Sequence, residues 1–138
     1  MIEVGETFGS SCELGAEDLE LAIRLTRGRH PVHVDDAAAR KAGLPGRIFH
    51  GAVSAAIMAA AIGQRFAGES IVILEQANRF RLPVAPGDTV TSRWNIAETR
   101  PGRKAGQQVL SLAGELVNQR GEVVIDSTAK VLLTGPGA

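Results

Sequence analysis

Between Gly51 and Phe66 the chain carries Val53, Ala55, Ile57, Met58, Ala60, Ala61 and Ile62, and meets no charged residue until Arg65. A helix with almost no polar face cannot lie on a surface, so the rest of the chain must enclose it on nearly every side. The segments C-terminal to it suit that task. Ser70 to Leu74, Asn78 to Leu82, Val90 to Glu98, Val109 to Asn118 and Val123 to Leu133 are rich in β-branched and alternating apolar residues, which predicts strands. Turn-forming stretches separate them: Pro83 to Asp88, Pro101 to Gly106, and Asn118-Gln119-Arg120-Gly121, the last reading as a hairpin loop. Long antiparallel strands packed on one buried helix make a two-layer α+β domain.

The region before the apolar helix reads as short pieces. Gly15 to Thr26 sets Leu19, Ala22, Ile23 and Leu25 among Glu17, Asp18, Glu20 and Arg24, the spacing of a one-sided surface helix with acids in its first turn. Pro31 and Gly28 make Thr26 to Pro31 a loop. Val32-His33-Val34 reads as a brief extended piece, and Asp35-Asp36 as the N-cap of a small helix closed by Gly43 and Pro45. Gly135 to Ala138 is expected to be a frayed tail. At 138 residues the chain has the size of one domain, taken as 1–138. An Ala-rich helix under an open sheet leaves a small core and unpaired edges, so a homodimer with a shared sheet is expected.

Composition removes several classes of function. Basic and acidic residues number 15 each, so bulk charge does not recruit nucleic acid or an anionic membrane. With 4% aromatic residues, stacking platforms for single-stranded nucleic acid are scarce. Cys12 is the single cysteine, which excludes an intramolecular disulfide and a multi-thiolate metal site and fits a cytoplasmic setting. It reads as a small apolar filler, because nothing near it in sequence would activate a thiol. The acidic start Met1 to Glu6 does not match a secretory leader, and no stretch is long enough to cross a bilayer.

The run Leu25-Thr26-Arg27-Gly28-Arg29-His30-Pro31-Val32-His33-Val34-Asp35, followed by Gly46-Arg47-Ile48-Phe49-His50-Gly51, resembles the MaoC-like family of (R)-specific enoyl-CoA hydratases and dehydratases. The likeness continues through Asn78 to Val90, with its Pro86-Gly87-Asp88 turn, and through Val117 to Val124. It implies the hot-dog fold, an antiparallel sheet wrapped around a central helix. It also implies an acyl-CoA or acyl-carrier-protein thioester as partner and no cofactor. Adding water across an enoyl thioester needs a base for the water, an acid for the α-carbon and donors for the enolate-like oxygen.

The family's motif is Asp-x-Asn-Pro-x-His. Laid on this chain without gaps, it puts the catalytic histidine on His33 and the proline on Pro31, while the Asp position falls on Gly28 and the Asn position on His30. The resemblance thus implies His33 as general acid-base. His30, in the same loop, is a candidate for the missing group, set against a solvent-facing loop histidine. Gly51 offers its backbone N–H, unpartnered at a helix start, to a developing oxyanion. Gly28, His50 and Ser54 are expected to border the substrate. His50 reads as chiefly structural, and the competing role of His33 is a histidine satisfied by backbone groups. Asp35 and Asp36 read as helix caps. No metal site is expected, since His30, His33, His50 and Asp35 show no ligand spacing. Arg27, Arg29, Arg47, Arg79 and Arg81 are scattered, as phosphate partners or surface charges. Besides hydration or dehydration, two readings stay open: a hydratase-inactive acyl-thioester binder, and elimination or isomerisation on a specialised, polyketide-like substrate.

Overall fold

The computed structural model describes residues 2–135. Helix α1 (Ala16–Thr26) is followed by two short helices, α2 (Pro31–Val34) and α3 (Asp36–Lys41), and by the long helix α4 (Gly51–Arg65). Strands β1 (Thr7–Phe8) and β2 (Ser11–Glu13) precede them, and β3 (Ser70–Phe80), β4 (Thr89–Pro101), β5 (Gln107–Val117) and β6 (Val123–Thr134) lie C-terminal to them. All pair antiparallel in the order β1-β4-β5-β6-β3, with β2 also on β4. The architecture is the hot dog, a curled antiparallel sheet holding one helix.

Alternation builds the core. Val90, Ser92, Trp94 and Ile96 of β4 point inward, as do Leu110, Leu112 and Leu116 of β5 and Ile125, Ser127, Ala129, Val131 and Leu133 of β6. They meet Met58, Ala61 and Ile62 of α4, while Leu19 and Ile23 of α1 join the same cluster. One cross-sheet row fixes the depth of the helix. Trp94 pairs with Gly114, Gly114 with Ser127, and Ser127 with Asn78. From this row the Trp94 indole N–H donates to the Met58 carbonyl at 2.8 Å. Next to it Ser127 Oγ lies 2.7 Å from Asn78 Oδ1, and the Gln76 amide donates both to Asn78 Oδ1 and, at 2.9 Å, to the Ala55 carbonyl.

Three expectations need correction. Val32-His33-Val34 is a helical turn rather than an extended piece: Pro31 at its first position fixes φ and His30 caps it, which outweighs the β-propensity of valine. Ser70 to Leu74 and Asn78 to Leu82 are one strand, β3, whose register against β6 shifts between Ile73 and Glu75. That bulge breaks the alternation and makes one strand read as two. Helix α4 is buried on one side only, through Ser54, Met58, Ala61 and Ile62, because one sheet covers one side; Ala52, Ala56, Ala60 and Gly63 are exposed. Strands β1 and β2 are too short to carry a periodic signal in the sequence. Of the tail, residues 136–138 lie outside the described part.

The tight packing of Trp94 yields a test. A Cβ on Gly114 would sit 2.5 Å from the Arg93 carbonyl oxygen and 2.6 Å from Trp94 Cε3, so Gly114→Ala must push the indole off its helix. Overpacking of this kind costs about 1–3 kcal/mol, to be read as a lower urea midpoint at unchanged slope.

Candidate active site

Local rules bring the loop between α1 and α2 into place. Helix α1 ends at Thr26, whose hydroxyl donates to the Ala22 carbonyl and accepts the Gly28 N–H, at 2.7 and 3.0 Å. Arg27 then turns left-handed, with φ 60°, reversing the chain as a C-capping residue does. His30 caps α2, its Nδ1 accepting the Val32 N–H at 3.3 Å. Asp35 caps α3 by accepting the Ala37 N–H at 2.9 Å, and Asp36 accepts the Arg47 N–H at 2.8 Å. Both acids are thereby committed to backbone amides. The loop into α4 is pinned from two sides, by Ile48 N–H on the Val32 carbonyl and Phe49 N–H on the Val84 carbonyl.

These contacts gather the three histidines of the chain. The rings of His33 and His50 stack at 3.8 Å between centroids with 25° between planes, and His30 stands edge-on to His33 at 6.3 Å. Each tautomer follows from its partner, since a carbonyl only accepts and an amide N–H only donates. His33 Nδ1 lies 2.7 Å from the Ile48 carbonyl and must carry the proton. In the neutral ring, Nε2 of His33 is then a lone pair, and among the described residues it has no hydrogen-bond partner. His50 Nε2 likewise donates to the Gly28 carbonyl at 2.7 Å. That leaves His50 Nδ1 as a buried acceptor with no donor among the described residues. Burial holds the His33 pKa below its ordinary value; the Ile48 bond opposes this, and the His50 and His30 rings reinforce it. His33 is therefore a neutral base at Nε2 near pH 7.

Gly28 sits under the His50 ring. A Cβ there would lie 2.6 Å from His50 Cδ2 and 2.7 Å from its Nε2. The imidazole fills the space that any side chain at 28 would need. A carboxylate on residue 28 has no room while His50 stays where it is.

Beside the cluster opens a pocket of about 390 Å³ lined by Ile48, Gly51, Ser54, Phe80, Arg81 and Val84, among others. Gly51 is the first residue of α4, where the backbone N–H has no partner within the helix and lies at the positive end of its dipole. The Phe80 ring rests against it, so close that a Cβ on Gly51 would come within 2.9 Å of Phe80 Cε1. Ser54, one turn further, is buried and lines the same space. The turn that follows Val84 is braced by Asp88, a buried carboxylate that accepts the Ala85 N–H at 2.9 Å and the Gln119 amide at 2.8 Å. Arg81 is paired with Asp126.

Of the residues singled out in the sequence, Gly28, His30, His33 and His50 form one cluster, while Gly51 and Ser54 line the adjoining pocket. Phe80 and Arg81 are pocket walls that sequence reasoning does not single out as such. The available signal is an aromatic followed by an arginine where β3 ends, pointing back at the helix start. Burial pushes the Cys12 thiol up, away from reactivity. Among the described residues no group of three or more His, Cys, Asp or Glu is placed to hold a metal, and no helix is long and apolar enough to cross a membrane.

This geometry has relatives. The model of the MaoC like domain matches residues 17–118. A 3-hydroxybutyryl-CoA dehydratase of Methylorubrum extorquens is 30% identical over 131 residues, covering 94% of this chain and 80% of its own length. An (R)-specific enoyl-CoA hydratase of Aeromonas caviae is 27% identical over 132 residues, covering 96% of each. Among solved structures, an unliganded R-hydratase from Pseudomonas aeruginosa superposes with a TM-score of 0.85 at 30% identity, covering 97% of this chain and 83% of that one. The chain belongs to the MaoC-like domain family.

The depressed His33 pKa makes stability depend on pH. Between the folded value and 6.5 the unfolded chain binds the proton more readily than the folded one, so this contribution is complete above pH 6.5 and is lost as pH falls through the folded value. Melting temperatures should drop from pH 7.5 to pH 5.5, and His33→Gln should flatten that drop.

Proposed function

We propose that the protein is a hydratase or dehydratase of enoyl and 3-hydroxyacyl thioesters, carried by CoA or a carrier protein, with His33 as its acid-base group. The observation that carries this reading is the state of His33: Nδ1–H is held by the Ile48 carbonyl, which leaves Nε2 as a lone pair, and Ile48 also lines the pocket that the first residue of α4 borders. The names of the relatives support the substrate class.

In the hydration direction His33 Nε2 takes a proton from water as the oxygen bonds to the β-carbon. The electron pair of the double bond moves to the thioester oxygen, where the Gly51 N–H receives the negative charge. The imidazolium then returns its proton to the α-carbon, which regenerates neutral His33 and leaves a 3-hydroxyacyl thioester. One histidine serves both proton transfers, so the cycle closes without a carboxylate at position 28. His30 keeps only its Nε2 uncommitted, and its place at the mouth of the cluster suits a supporting role. Ser54 borders the acyl chain.

A second copy of the chain is part of this proposal. Among the described residues strand β3 is an edge of the sheet, and Val72, Ile73, Leu74, Phe80 and Leu82 on and beside it are exposed. Pairing two β3 edges extends the sheet and covers that apolar row together with the exposed alanines of α4.

The test monitors hydration of crotonyl-CoA and of a longer trans-2-enoyl-CoA by loss of the conjugated-thioester absorbance. His33→Ala should lower kcat/KM by about 10²–10⁴-fold while KM and melting temperature stay near native. Because no side chain stands at Gly28, two other readings have an observation behind them: a pocket that binds acyl thioesters without hydrating them, and one that directs elimination or isomerisation on a specialised substrate. A native protein that binds acyl-CoA in calorimetry but hydrates neither substrate would overturn the hydratase reading in favour of these two.

A further inference from the structure

Three features of His50 have no place in the hydration cycle. Its ring is stacked on His33 at 3.8 Å, its Nε2–H is tied to the Gly28 carbonyl, and its Nδ1 is buried without a donor among the described residues. As the residue preceding α4 it makes no side-chain cap to that helix, so holding the helix start does not account for an imidazole there. An unpaired buried acceptor is a cost that an apolar ring would avoid, so its presence points to a use for the rest of the ring.

We propose that His50 is the positioning residue of the site: clamped to the Gly28 carbonyl and stacked on His33, it fixes the plane of the His33 imidazole and hence the direction of Nε2, with Gly28 leaving the space that the ring occupies. The clamp and the stack serve one requirement from two sides. His33 turns about two bonds, and its Nδ1–Ile48 bond fixes one end of the ring but not its tilt; the flat face of His50 supplies the second constraint. Residue 28 contributes a carbonyl rather than a side chain. The titratable groups that act on His33 are His50 and His30; Asp35 and Asp36, the nearest acids in sequence, are engaged by the Ala37 and Arg47 amides. With His50 in place His33 is both screened from water and set against a second imidazole, and each of these favours its neutral form.

The inference rests on the hydratase reading for its catalytic consequence, but the coupling of the two rings can be measured without turnover. With three histidines in the chain, their Cε1–H resonances can be titrated individually by NMR and assigned by single His→Gln substitutions. His50→Asn removes the stacked ring, so the His33 midpoint should move upward toward 6.5. It should also lower kcat by roughly 10–10²-fold with KM unchanged, the mark of a misaligned group rather than lost binding. His50→Phe keeps a flat face without the clamp and should recover only part of kcat. Gly28→Ala, which drives His50 off its place, should copy His50→Asn and add nothing to it in the double variant. A His33 midpoint unmoved in both His50→Asn and Gly28→Ala would overturn the proposal; if His50→Asn does not fold, Gly28→Ala alone decides it. A midpoint that moves in a native protein without hydratase activity keeps the coupling of the rings and defeats the hydratase reading instead.

Discussion

The Trp94 indole, donating from the floor of the sheet to the Met58 carbonyl in the middle of α4, sets where everything else must be. A helix of alanine, valine and isoleucine offers few large side chains to lock against a sheet, and small residues alone would let it slide and rotate. Two side-chain donors on the sheet, Trp94 and Gln76, end on carbonyls one turn apart at Ala55 and Met58. They fix both depth and rotation. Gly114 is the reciprocal concession, giving up its side chain so that the indole can lie flat. Once α4 is held in this way, its first residue, Gly51, has a defined place relative to the loops that carry the histidines.

The site depends on how its polar partners are shared out. Asp35, Asp36 and Asp88 are each committed to backbone amides, which leaves the imidazoles as the titratable groups of the cluster. A histidine surrounded by carboxylates would be held protonated and would make a poor base near neutral pH. Here the neighbours of His33 are a carbonyl, two other imidazoles and the protein interior, and their net effect is the opposite. Nε2 therefore remains a lone pair near pH 7.

Much of this is legible in the residues themselves. The α+β class comes from one apolar helix before a series of alternating strands, and the cap at Asp35 comes from a local rule. The helical turn at Pro31–Val34 reads as extended because two valines outweigh a single proline in the pattern, although proline at the first helical position is the stronger local constraint. Strand β3 reads as two because a bulge is a property of pairing with β6, and pairing is not written in one strand alone. The exposed flank of α4 escapes for a similar reason, since periodicity says how apolar a helix is and not how much sheet one chain can supply. Motif resemblance brings out His33, but only the folded chain puts the His50 ring over Gly28.

Phe80 is at once the last residue of the free edge strand and the ring that rests on Gly51. Strand and pocket mouth are thus one mechanical piece, and whatever lies along that edge also sets how far the aromatic lid stands from the helix start. Substitutions at the end of β3 act on the strand and on the pocket wall at once. Under the proposed pairing of two β3 edges, a change at the edge is therefore also a change at the pocket wall.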